Sequence, residues 1–534
     1  MVGQQENAAQ DGLRESGFRL SRHIPCDFLP TDPPARGRTR ETIEIDPLVL
    51  GPIANGAADL PQGTEAAALP RELLFDSLGV KLGVQTVEPG AGEDPPVAAT
   101  AAPRRHDGGD SFRSGLARAK AGDHQGAVAD FTAALACESR NGGYYLERAY
   151  SYRSLGYTYL AIDDFERAGI HGAGWAAAHN GMGMVRREKG DLTGALCDFE
   201  NAIHHDAGFA AAYSNRGLCH LDRYDDLKAV ADFTRALDLG GEQVVTLFHR
   251  AAAYYRLKRY AEAETDLTRA AGFAPEEASI LNRRGIAREA QGKLTEALED
   301  FDRTIAADPT FAPVYANRAR LLQRLEDYSG AIEDFTRELE FDPGSWQAHA
   351  RRGQCYSKLG QLRLAVIDFN AALTRGDGRA SLFLDRARCY GEIKNYAKAV
   401  ADCDRALQLS PACARGYAER AAWRERLRER EGALADLNRA VELEPGNGCY
   451  FQKRGRFLLR QGRFAAALPD FEYDVSLNPT EPWAYMGRGD CRARMGDGLG
   501  AAEDYRRAAS LFSEMGETDS RGTALRRMEQ ALVA

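Results

Sequence analysis

The sequence predicts an all-α fold in which one helical hairpin is copied along most of the chain. Three observations support this prediction: residue types recur with a period of about 34 residues, small residues hold fixed places in that period, and proline follows the second helix in six of the copies. A hairpin of about 34 residues cannot bury its apolar face alone. Each copy therefore needs a neighbour on both sides.

The clearest copy of the hairpin spans residues 278–311. Its apolar residues are spaced by three or four positions, which places them on one face of each helix. A glycine marks the turn between the helices, and a proline ends the second helix because proline has no N–H to donate. This assignment depends on Leu281, Gly285, Ile286, Gly292, Leu294, Ala297, Leu298, Phe301 and Pro309.

Steps of about 34 residues from three of these positions reach the same residue types throughout the array. From Gly285 they reach only glycine or alanine: Gly115, Ala149, Gly183, Gly217, Ala251, Ala319, Gly353, Ala387, Ala421, Gly455 and Gly489. From Ala297 they reach only alanine, and from Phe301 they reach aromatic residues except at Leu267, Cys403 and Leu437. The register is unbroken from 108 to 515, which predicts about twelve repeats.

This spacing of a small residue, alanine, an aromatic residue and proline resembles the tetratricopeptide repeat (TPR) family. The resemblance covers roughly three quarters of the chain, although tryptophan is rarer here than in the family's common pattern. It implies a right-handed superhelical α-solenoid, in which contacts between neighbouring repeats provide the stability.

Residues 1–107 differ from the repeats in composition. They are rich in proline, glycine, alanine and charged residues and show no sustained periodicity, so we predict a largely disordered linker. Two short apolar segments, 41–54 and 72–84, have two interpretations. They are apolar stretches of a linker without a specific role, or docking motifs for a partner or for the chain's own groove.

Residues 516–534 are predicted to form a C-terminal capping helix on the repeats of 108–515. An end helix with an apolar face covers the exposed edge of such a stack. Its N-cap is expected at Asp519 or Ser520, and its apolar face contains Leu525, Met528 and Leu532.

Composition excludes several classes of function. The formal net charge of −9 argues against a phosphate-binding surface, so no nucleic acid partner is predicted. No run of about 18 apolar residues is present, so no membrane insertion is expected. The polar N-terminus with Glu6, Asp11 and Glu15 does not resemble a secretory signal, and Val2 stands where N-myristoylation requires glycine.

The ten cysteines are scattered and form no C-x-x-C pair. We expect them to fill the core as small apolar residues do, rather than to bind metal or form disulfides. A reducing, cytoplasmic location fits this composition, and no cofactor is predicted.

Arginine and aspartate recur in register with the small and aromatic positions. Arginine precedes the small position in every repeat except the first (Ser114) and the third (Met182), and aspartate precedes every aromatic position. Arg284 and Asp300 should lie at similar heights on the two helices of one hairpin. Because nearly every repeat carries the pattern, we interpret it as a bidentate structural ion pair rather than a ligand-binding ladder.

The TPR resemblance implies that first helices line a concave groove that takes peptides. The implied positions are apolar in early repeats: Phe112, Leu116, Leu146, Tyr150, Met184, Leu218, Phe248 and Tyr255. They are mainly basic in later repeats: Arg320, Arg324, Lys358, Arg388, Arg415, Arg426, Arg456, Arg460 and Arg494, interspersed with Glu392, Glu425 and Asp490. An acidic partner segment would be drawn to the basic zone. The alternative is that these are ordinary solvated charges.

One subset of the family binds chaperone C-termini through a two-carboxylate clamp, which needs defined Lys, Asn and Arg positions in three consecutive repeats. Asn215 and Asn317 match its middle position and Arg351 its last, but no consecutive triplet completes it. The resemblance therefore allows a co-chaperone-like adaptor only without this clamp.

No enzyme active site is predicted. Residues 1–107 contain no phosphate-binding glycine motif, and no serine or cysteine nucleophile has a visible base beside it. His204 and His205 are adjacent on a helix and point about 100° apart, which is typical of a solvated helix end rather than a metal site.

These observations predict a non-catalytic scaffold or adaptor that holds peptide segments of protein partners in its groove. The alternative is an autoinhibited regulatory module whose own N-terminal segment occupies that groove. The partner and the oligomeric state are not specified by the sequence.

Overall fold

The computed structural model describes residues 108–376 and 378–533. These residues form 25 α-helices and contain no β-strand, so the predicted all-α solenoid of helix–turn–helix repeats is confirmed. The predictions for 1–107, including the apolar segments at 41–54 and 72–84, lie outside the described residues.

The helices follow one another with short connections. Their bounds are α1 Gly108–Lys120, α2 His124–Cys137, α3 Gly142–Ser154, α4 Thr158–Ile170, α5 Trp175–Glu188, α6 Leu192–His205, α7 Ala210–Asp222, α8 Asp226–Asp238, α9 Gln243–Arg256, α10 Tyr260–Phe273, α11 Ala278–Ala290, α12 Leu294–Ala307, α13 Pro313–Arg324, α14 Tyr328–Phe341, α15 Trp346–Lys358, α16 Leu362–Arg375, α17 Ala380–Glu392, α18 Tyr396–Leu409, α19 Ala414–Arg426, α20 Arg430–Leu443, α21 Gly448–Arg460, α22 Phe464–Leu477, α23 Pro482–Arg494, α24 Gly498–Glu514 and α25 Thr518–Val533.

The described residues divide into two compact units, and the boundary falls after Asp334, within α14. In the N-terminal unit (108–334), the hairpins α1–α2 to α11–α12 each pack their second helix on the first helix of the next hairpin. The hairpins of the C-terminal unit (335–533), from α15–α16 to α23–α24, follow the same scheme. Contacts are therefore mostly between neighbours in sequence, as a repeat array requires.

The turn between the two helices uses a left-handed residue in every hairpin. Gly292, placed at the break by the sequence, has φ 79°, which glycine adopts without steric cost because it has no Cβ. Five hairpins place a larger residue in this conformation, at φ between 60° and 67°: Tyr224, Lys258, Glu326, Lys394 and Arg428. Glycine is thus favoured at the turn but is not required.

The small and aromatic positions meet inside each hairpin. A Cβ added to Gly285 would lie 2.7 Å from Phe301 Cε1, and the Phe301 side chain is fully buried. Where the aromatic residue is replaced, at Leu267, Cys403 and Leu437, the side chain is buried too. The close approach of the two helices explains why only glycine or alanine occurs at the small position.

At Gly181 and Gly487, a first helix crosses the aromatic side chain of the preceding hairpin so closely that an added Cβ would clash with the ring. A Cβ added to Gly487 would lie 2.2 Å from Phe471 Cε1, and Phe471 is fully buried and cannot move aside. We expect Gly487→Ala to destabilise the C-terminal unit by about 1–3 kcal/mol through overpacking, measured by thermal or urea denaturation. Gly446→Ala is the matched control, because nothing lies within 4 Å of that added Cβ. Equal stability of the two variants would refute this packing argument.

The C-terminal helix α25 packs against α24 through buried Ala524 and Ala531, with Leu525 and Met528 partly buried beside them. The predicted N-cap is wrong: the helix begins at Thr518, so Asp519 lies in its first turn. Leu532, expected on the apolar face, is 53% exposed. The small alanines allow α25 to approach α24 closely, and this excludes the larger side chain from the contact.

Five cysteines are buried in the core as predicted, namely Cys219, Cys355, Cys389, Cys403 and Cys491. Burial raises the pKa of the Cys219 thiol to about 11 and that of Cys355 to about 12, so these thiols stay protonated. The core-filling interpretation is wrong for Cys137 and Cys197, which are exposed. Among the described helices, none is both long and apolar enough to span a bilayer.

Candidate functional site

The Arg–Asp pattern forms ten ion pairs, each within one hairpin and separated by 16 residues. In the hairpin α11–α12, Arg284 Nε and Nη2 donate to the two carboxylate oxygens of Asp300 at 2.9 and 2.6 Å. The predicted bidentate, partly buried geometry is confirmed. The pairs are Arg148–Asp164, Arg216–Asp232, Arg250–Asp266, Arg284–Asp300, Arg318–Asp334, Arg352–Asp368, Arg386–Asp402, Arg420–Asp436, Arg454–Asp470 and Arg488–Asp504.

The two hairpins without the arginine satisfy their aspartate differently. Ser114 Oγ donates to Asp130 at 2.6 Å. Asp198 accepts a hydrogen bond from Arg186, one turn further along the first helix, and His179 Nδ1 lies 3.6 Å from its other oxygen. The buried carboxylate thus has a donor even where the repeat pattern is broken.

The ladder arginines also join successive hairpins, which the sequence did not indicate. The third guanidinium nitrogen, Nη1, reaches an acceptor on the second helix of the preceding hairpin: Arg318 donates to Asp302 at 2.7 Å and Arg420 to Asp404 at 2.6 Å. The same contact is made to Thr132, Thr234, Thr336, Asn370 and Asn438. In seven of the ten pairs the arginine therefore links two hairpins as well as the two helices of one hairpin, which supports a structural role for the ladder.

Within each unit, first helices of adjacent hairpins touch, for example α5 with α7 in the N-terminal unit and α21 with α23 in the C-terminal unit. We call the surface that the first helices form in each unit its first-helix face. In the N-terminal unit it carries polar contacts between hairpins: Asn215 Nδ2 donates to Asn180 at 2.8 Å, and Asn317 Nδ2 donates to Asn282 at 2.9 Å. Each amide has further hydrogen-bonding capacity beyond that single bond.

The predicted apolar groove residues differ in how much surface they offer. Phe112, Leu146, Tyr150, Met184 and Leu218 are partly buried on the first-helix face. The Phe112 ring lies 4.6 Å from that of Tyr144, and the Tyr150 ring lies 5.1 Å from that of Phe165, measured between centroids. One side of each of these side chains packs against the protein, and the other side remains accessible.

Phe248 and Tyr255 belong to the hydrophobic core, with exposures of 3% and 8%. The two side chains offer little surface to a partner. Phe248 packs with Leu247, Ile280 and neighbouring alanines in that core. The sequence does not show whether these residues lie in the groove or in the core, because an apolar residue on a first helix can occupy either place.

Most of the predicted basic residues already have acidic or amide partners on the same face. Arg324 pairs with Glu289 at 2.6 Å, and Arg460 pairs with Glu425 at 2.7 Å. Arg320 donates to Asn317 at 2.7 Å.

A further cluster lies between α17 and α19. Arg388 lies 3.4 Å from Glu419 and 3.7 Å from Asp385, and Arg415 contacts the same two carboxylates at 2.8 and 3.2 Å. The two positive charges are thus balanced by two negative charges, which weakens the attraction for an acidic segment expected there.

Arg456 is the exposed member of the predicted basic set that stacks on an aromatic ring, with its guanidinium carbon 5.4 Å from the centroid of Trp483. Lys358, Arg426 and Arg494 are exposed, as is Leu116 in the apolar set.

A spacing of 35 residues would have revealed the charge pairing. Arg153 with Glu188, Arg187 with Asp222, and Glu289 with Arg324 are all separated by 35 positions. That distance is one repeat plus one residue, which brings two first-helix positions side by side. A comparison of the same position in successive repeats does not reveal these pairs, because their two members occupy positions that differ by one residue.

His204 and His205 lie exposed at the end of α6, as predicted. The His205 ring stacks on that of His179, with centroids 5.6 Å apart and planes 8° apart, and faces Trp175. In the part of the chain that the structure describes, no group of three or more His, Cys, Asp or Glu side chains has an arrangement suited to a metal ion.

Comparison with known families supports the same fold. One tetratricopeptide repeat family model matches residues 248–310, 317–380 and 453–515, and a second matches 380–413. Among curated proteins, none matches the sequence.

Solved structures with similar arrangements share little sequence. Yeast Tom70 is 16% identical with a TM-score of 0.37, and the alignment covers 80% of this chain and 96% of that one. The C-terminal part of a TPR repeat-containing protein from Cytophaga hutchinsonii is 18% identical with a TM-score of 0.39, covering 45% and 98%. The Cut9–Hcn1 structure of the APC/C is 14% identical with a TM-score of 0.37, covering 72% and 90%.

The repeat register and the hairpin geometry agree with the matched residue ranges. TPR arrays serve in general as scaffolds for protein–protein interaction. The chain therefore contains tetratricopeptide repeats, at residues 248–310, 317–413 and 453–515.

Proposed function

We propose that this protein is a non-catalytic adaptor that holds an extended or helical segment of a protein partner on its first-helix face. The observation that carries the proposal is the row formed by Leu146, Tyr150, Met184 and Leu218 in the N-terminal unit. These partly buried side chains have accessible edges. Such a row offers apolar contacts at a spacing that a peptide can match.

Asn215 is partly exposed beside this row and can offer a polar contact to a peptide backbone. Asn180, Asn282 and Asn317, by contrast, are buried. A polypeptide carries one donor and one acceptor per residue, and each must be paired when water is excluded. Asn180 also donates to Met184 Sδ at 3.6 Å, so this buried amide helps to hold one apolar side chain of the row in place.

No catalytic role is assigned to the described residues. Burial raises the pKa of the Cys491 thiol to about 12 and that of Cys219 to about 11, which leaves little thiolate to act as a nucleophile. A reducing compartment such as the cytoplasm suits the free thiols.

A photo-crosslinking amino acid at Leu218 tests this proposal in the full chain. Leu218 lies on the first-helix face, whereas Leu227, on the second helix of the same hairpin, is 70% exposed on another side and serves as the control position. We expect Leu218 to crosslink to a small, reproducible set of proteins in cell extract, through contiguous peptide segments identified by mass spectrometry. Leu227 should not capture that set.

The crosslinked segments also separate the alternatives. Equal capture from both positions, or none from Leu218, would remove the support for the first-helix face. Intramolecular crosslinks from Leu218 to residues 72–84 would favour the autoinhibited module, and acidic captured segments would favour a role for the basic residues of the later repeats.

A further inference from the structure

Arg283 has no partner in the part of the chain that the structure describes, and this distinguishes it from its neighbours. Every other arginine in the first helices of the N-terminal unit donates to a side-chain or backbone acceptor, for example Arg153 to Glu188, Arg187 to Asp222 and Arg324 to Glu289. The adjacent Arg284 is held by Asp300. The Arg283 guanidinium is a cation without a carboxylate.

An aromatic ring from the preceding hairpin holds this guanidinium in place. The guanidinium carbon of Arg283 lies 4.3 Å from the centroid of the Phe248 ring, within the range of a cation–π contact. Because Phe248 is fixed in the core, the flat guanidinium has little freedom to turn away. Its N–H groups can still donate in the plane that carboxylates recognise.

A small recess beside Arg283 is lined by apolar side chains. Its walls are Ala251, Ala252, Tyr255, Leu267 and Ile286, with Arg283 as the charged member. The recess has room for about one methyl group, so it suits a side chain as small as alanine next to the group that pairs with the arginine. A charge partly removed from water is unfavourable unless it is paired. Binding should therefore be most favourable for an anion that has an apolar group next to it.

The surroundings favour a single negative charge. Burial lowers the pKa of Arg283 to about 10, so the side chain remains charged at neutral pH. Burial, and then the charge of Arg283, lower the pKa of the neighbouring His249 to about 3, so the imidazole is neutral and provides no second cation. One guanidinium matches one carboxylate, whereas a phosphate would require more positive charge.

We propose that Arg283 and the recess beside it bind a carboxylate of the partner peptide, with a small apolar residue next to that carboxylate. The carboxylate comes from an aspartate or glutamate side chain or from the peptide's C-terminus, since both present the same two oxygens. This inference rests on the proposed function, because it specifies what the first-helix face recognises.

Four libraries of randomised eight-residue peptides test the inference against the full chain. One carries a single glutamate, and the second has glutamine there; both are amidated at the C-terminus. The third lacks acidic side chains and ends in a free carboxylate, and the fourth is its amidated counterpart. We expect enrichment from the glutamate or the free-carboxylate library over its neutral counterpart, and the library that enriches identifies the source.

Two variants then assign the effect to Arg283. Arg283→Gln should weaken binding of the selected peptides roughly tenfold to a hundredfold, as expected when a hydrogen-bonded charge pair is lost. Arg337→Gln removes a charge on the second helix α14 that is already paired with Glu340 and should change affinity by less than about twofold. Arg283→Gln should melt at or above the native temperature, because it removes an unpaired, partly desolvated charge. Arg283→Met provides a second variant that keeps the apolar stem.

The possible outcomes separate this inference from the proposed function. If neutral and acidic peptides are enriched equally and bind the native chain and Arg283→Gln alike, the face binds peptides but the carboxylate site does not exist. If no library enriches, both proposals fail. A fall in melting temperature for both Arg283 variants, with unchanged peptide affinity, would make Arg283 a structural residue and overturn the inference.

Discussion

Asp300→Ala is expected to lower the free energy of local unfolding of the hairpin α11–α12 by about 3–5 kcal/mol. Asp300 is 1% exposed and accepts from Arg284 at 2.9 and 2.6 Å and from Arg288 at 2.9 Å. Arg284 is 7% exposed, so the substitution leaves its buried guanidinium without an acceptor. Breaking a buried ion pair from one side costs more than the intact pair contributes. Amide hydrogen exchange of the full chain measures this opening hairpin by hairpin.

The first hairpin supplies the matched control at the same repeat position. Asp130 accepts from Ser114 and lies 3.4 Å from Arg118, whose side chain is 49% exposed, and the Asp130 side chain itself is 22% exposed. No buried guanidinium depends on it, so Asp130→Ala should cost less than about 1.5 kcal/mol, the upper range for a single hydrogen bond. Similar losses at both positions would show that the aspartate acts through its own packing and that the arginine is incidental.

The Arg–Asp ladder shows which structural features can be predicted from the sequence. Its pairs were predictable because the constraint repeats: the same residue types stand 16 residues apart in nearly every hairpin, as in Arg148 with Asp164 and Arg488 with Asp504. Small, alanine and aromatic positions were predictable for the same reason. Any requirement that all hairpins share appears as a period.

The candidate site was less predictable because its features occur once. Phe248 and Leu218 are both apolar residues on first helices, yet one is buried in the core and the other has an accessible edge. Arg388 and Arg460 were predicted to attract an acidic segment, but their charges are already balanced by Glu419 and Glu425. Contacts between side chains of different hairpins depend on how those hairpins pack. The position of a residue within its own repeat does not specify these contacts.

A second exceptional residue, Asp474, stands at a repeat position that most hairpins fill with alanine; Thr304 and Glu338 are the other exceptions. Nine other hairpins have alanine there, namely Ala134, Ala168, Ala202, Ala236, Ala270, Ala372, Ala406, Ala440 and Ala508. Asp474 is 1% exposed and has amide donors instead of a cation, from Asn478 at 3.1 Å and Gln452 at 3.4 Å. The carboxyl packs against Gly448, where an added Cβ would lie 2.1 Å from its oxygen.

This environment makes local stability depend on pH in a defined direction. Burial raises the pKa of Asp474 from 3.8 to about 6, and the charge of Glu481 adds to the rise. The folded chain therefore holds the proton more tightly than the unfolded chain, so folding is favoured most below pH 4 and this contribution is lost as the pH rises through 6. A shift of that size corresponds to about 3 kcal/mol.

We therefore expect Asp474→Ala to stabilise the hairpin α21–α22 by about 3 kcal/mol at pH 8, and to have little effect at pH 4, where the native carboxyl is neutral. Hydrogen exchange at matched intrinsic rates, from pH 5 to pH 8, should show the difference between native and variant chains growing with pH. Asp474→Asn keeps the shape and removes the charge, and Gln452 can turn its amide so that its oxygen accepts from the new NH2 group, so this variant should reproduce most of the gain. If the asparagine variant gains nothing while the alanine variant does, the benefit comes from relief of crowding against Gly448, and the ionised carboxylate is not what weakens this hairpin.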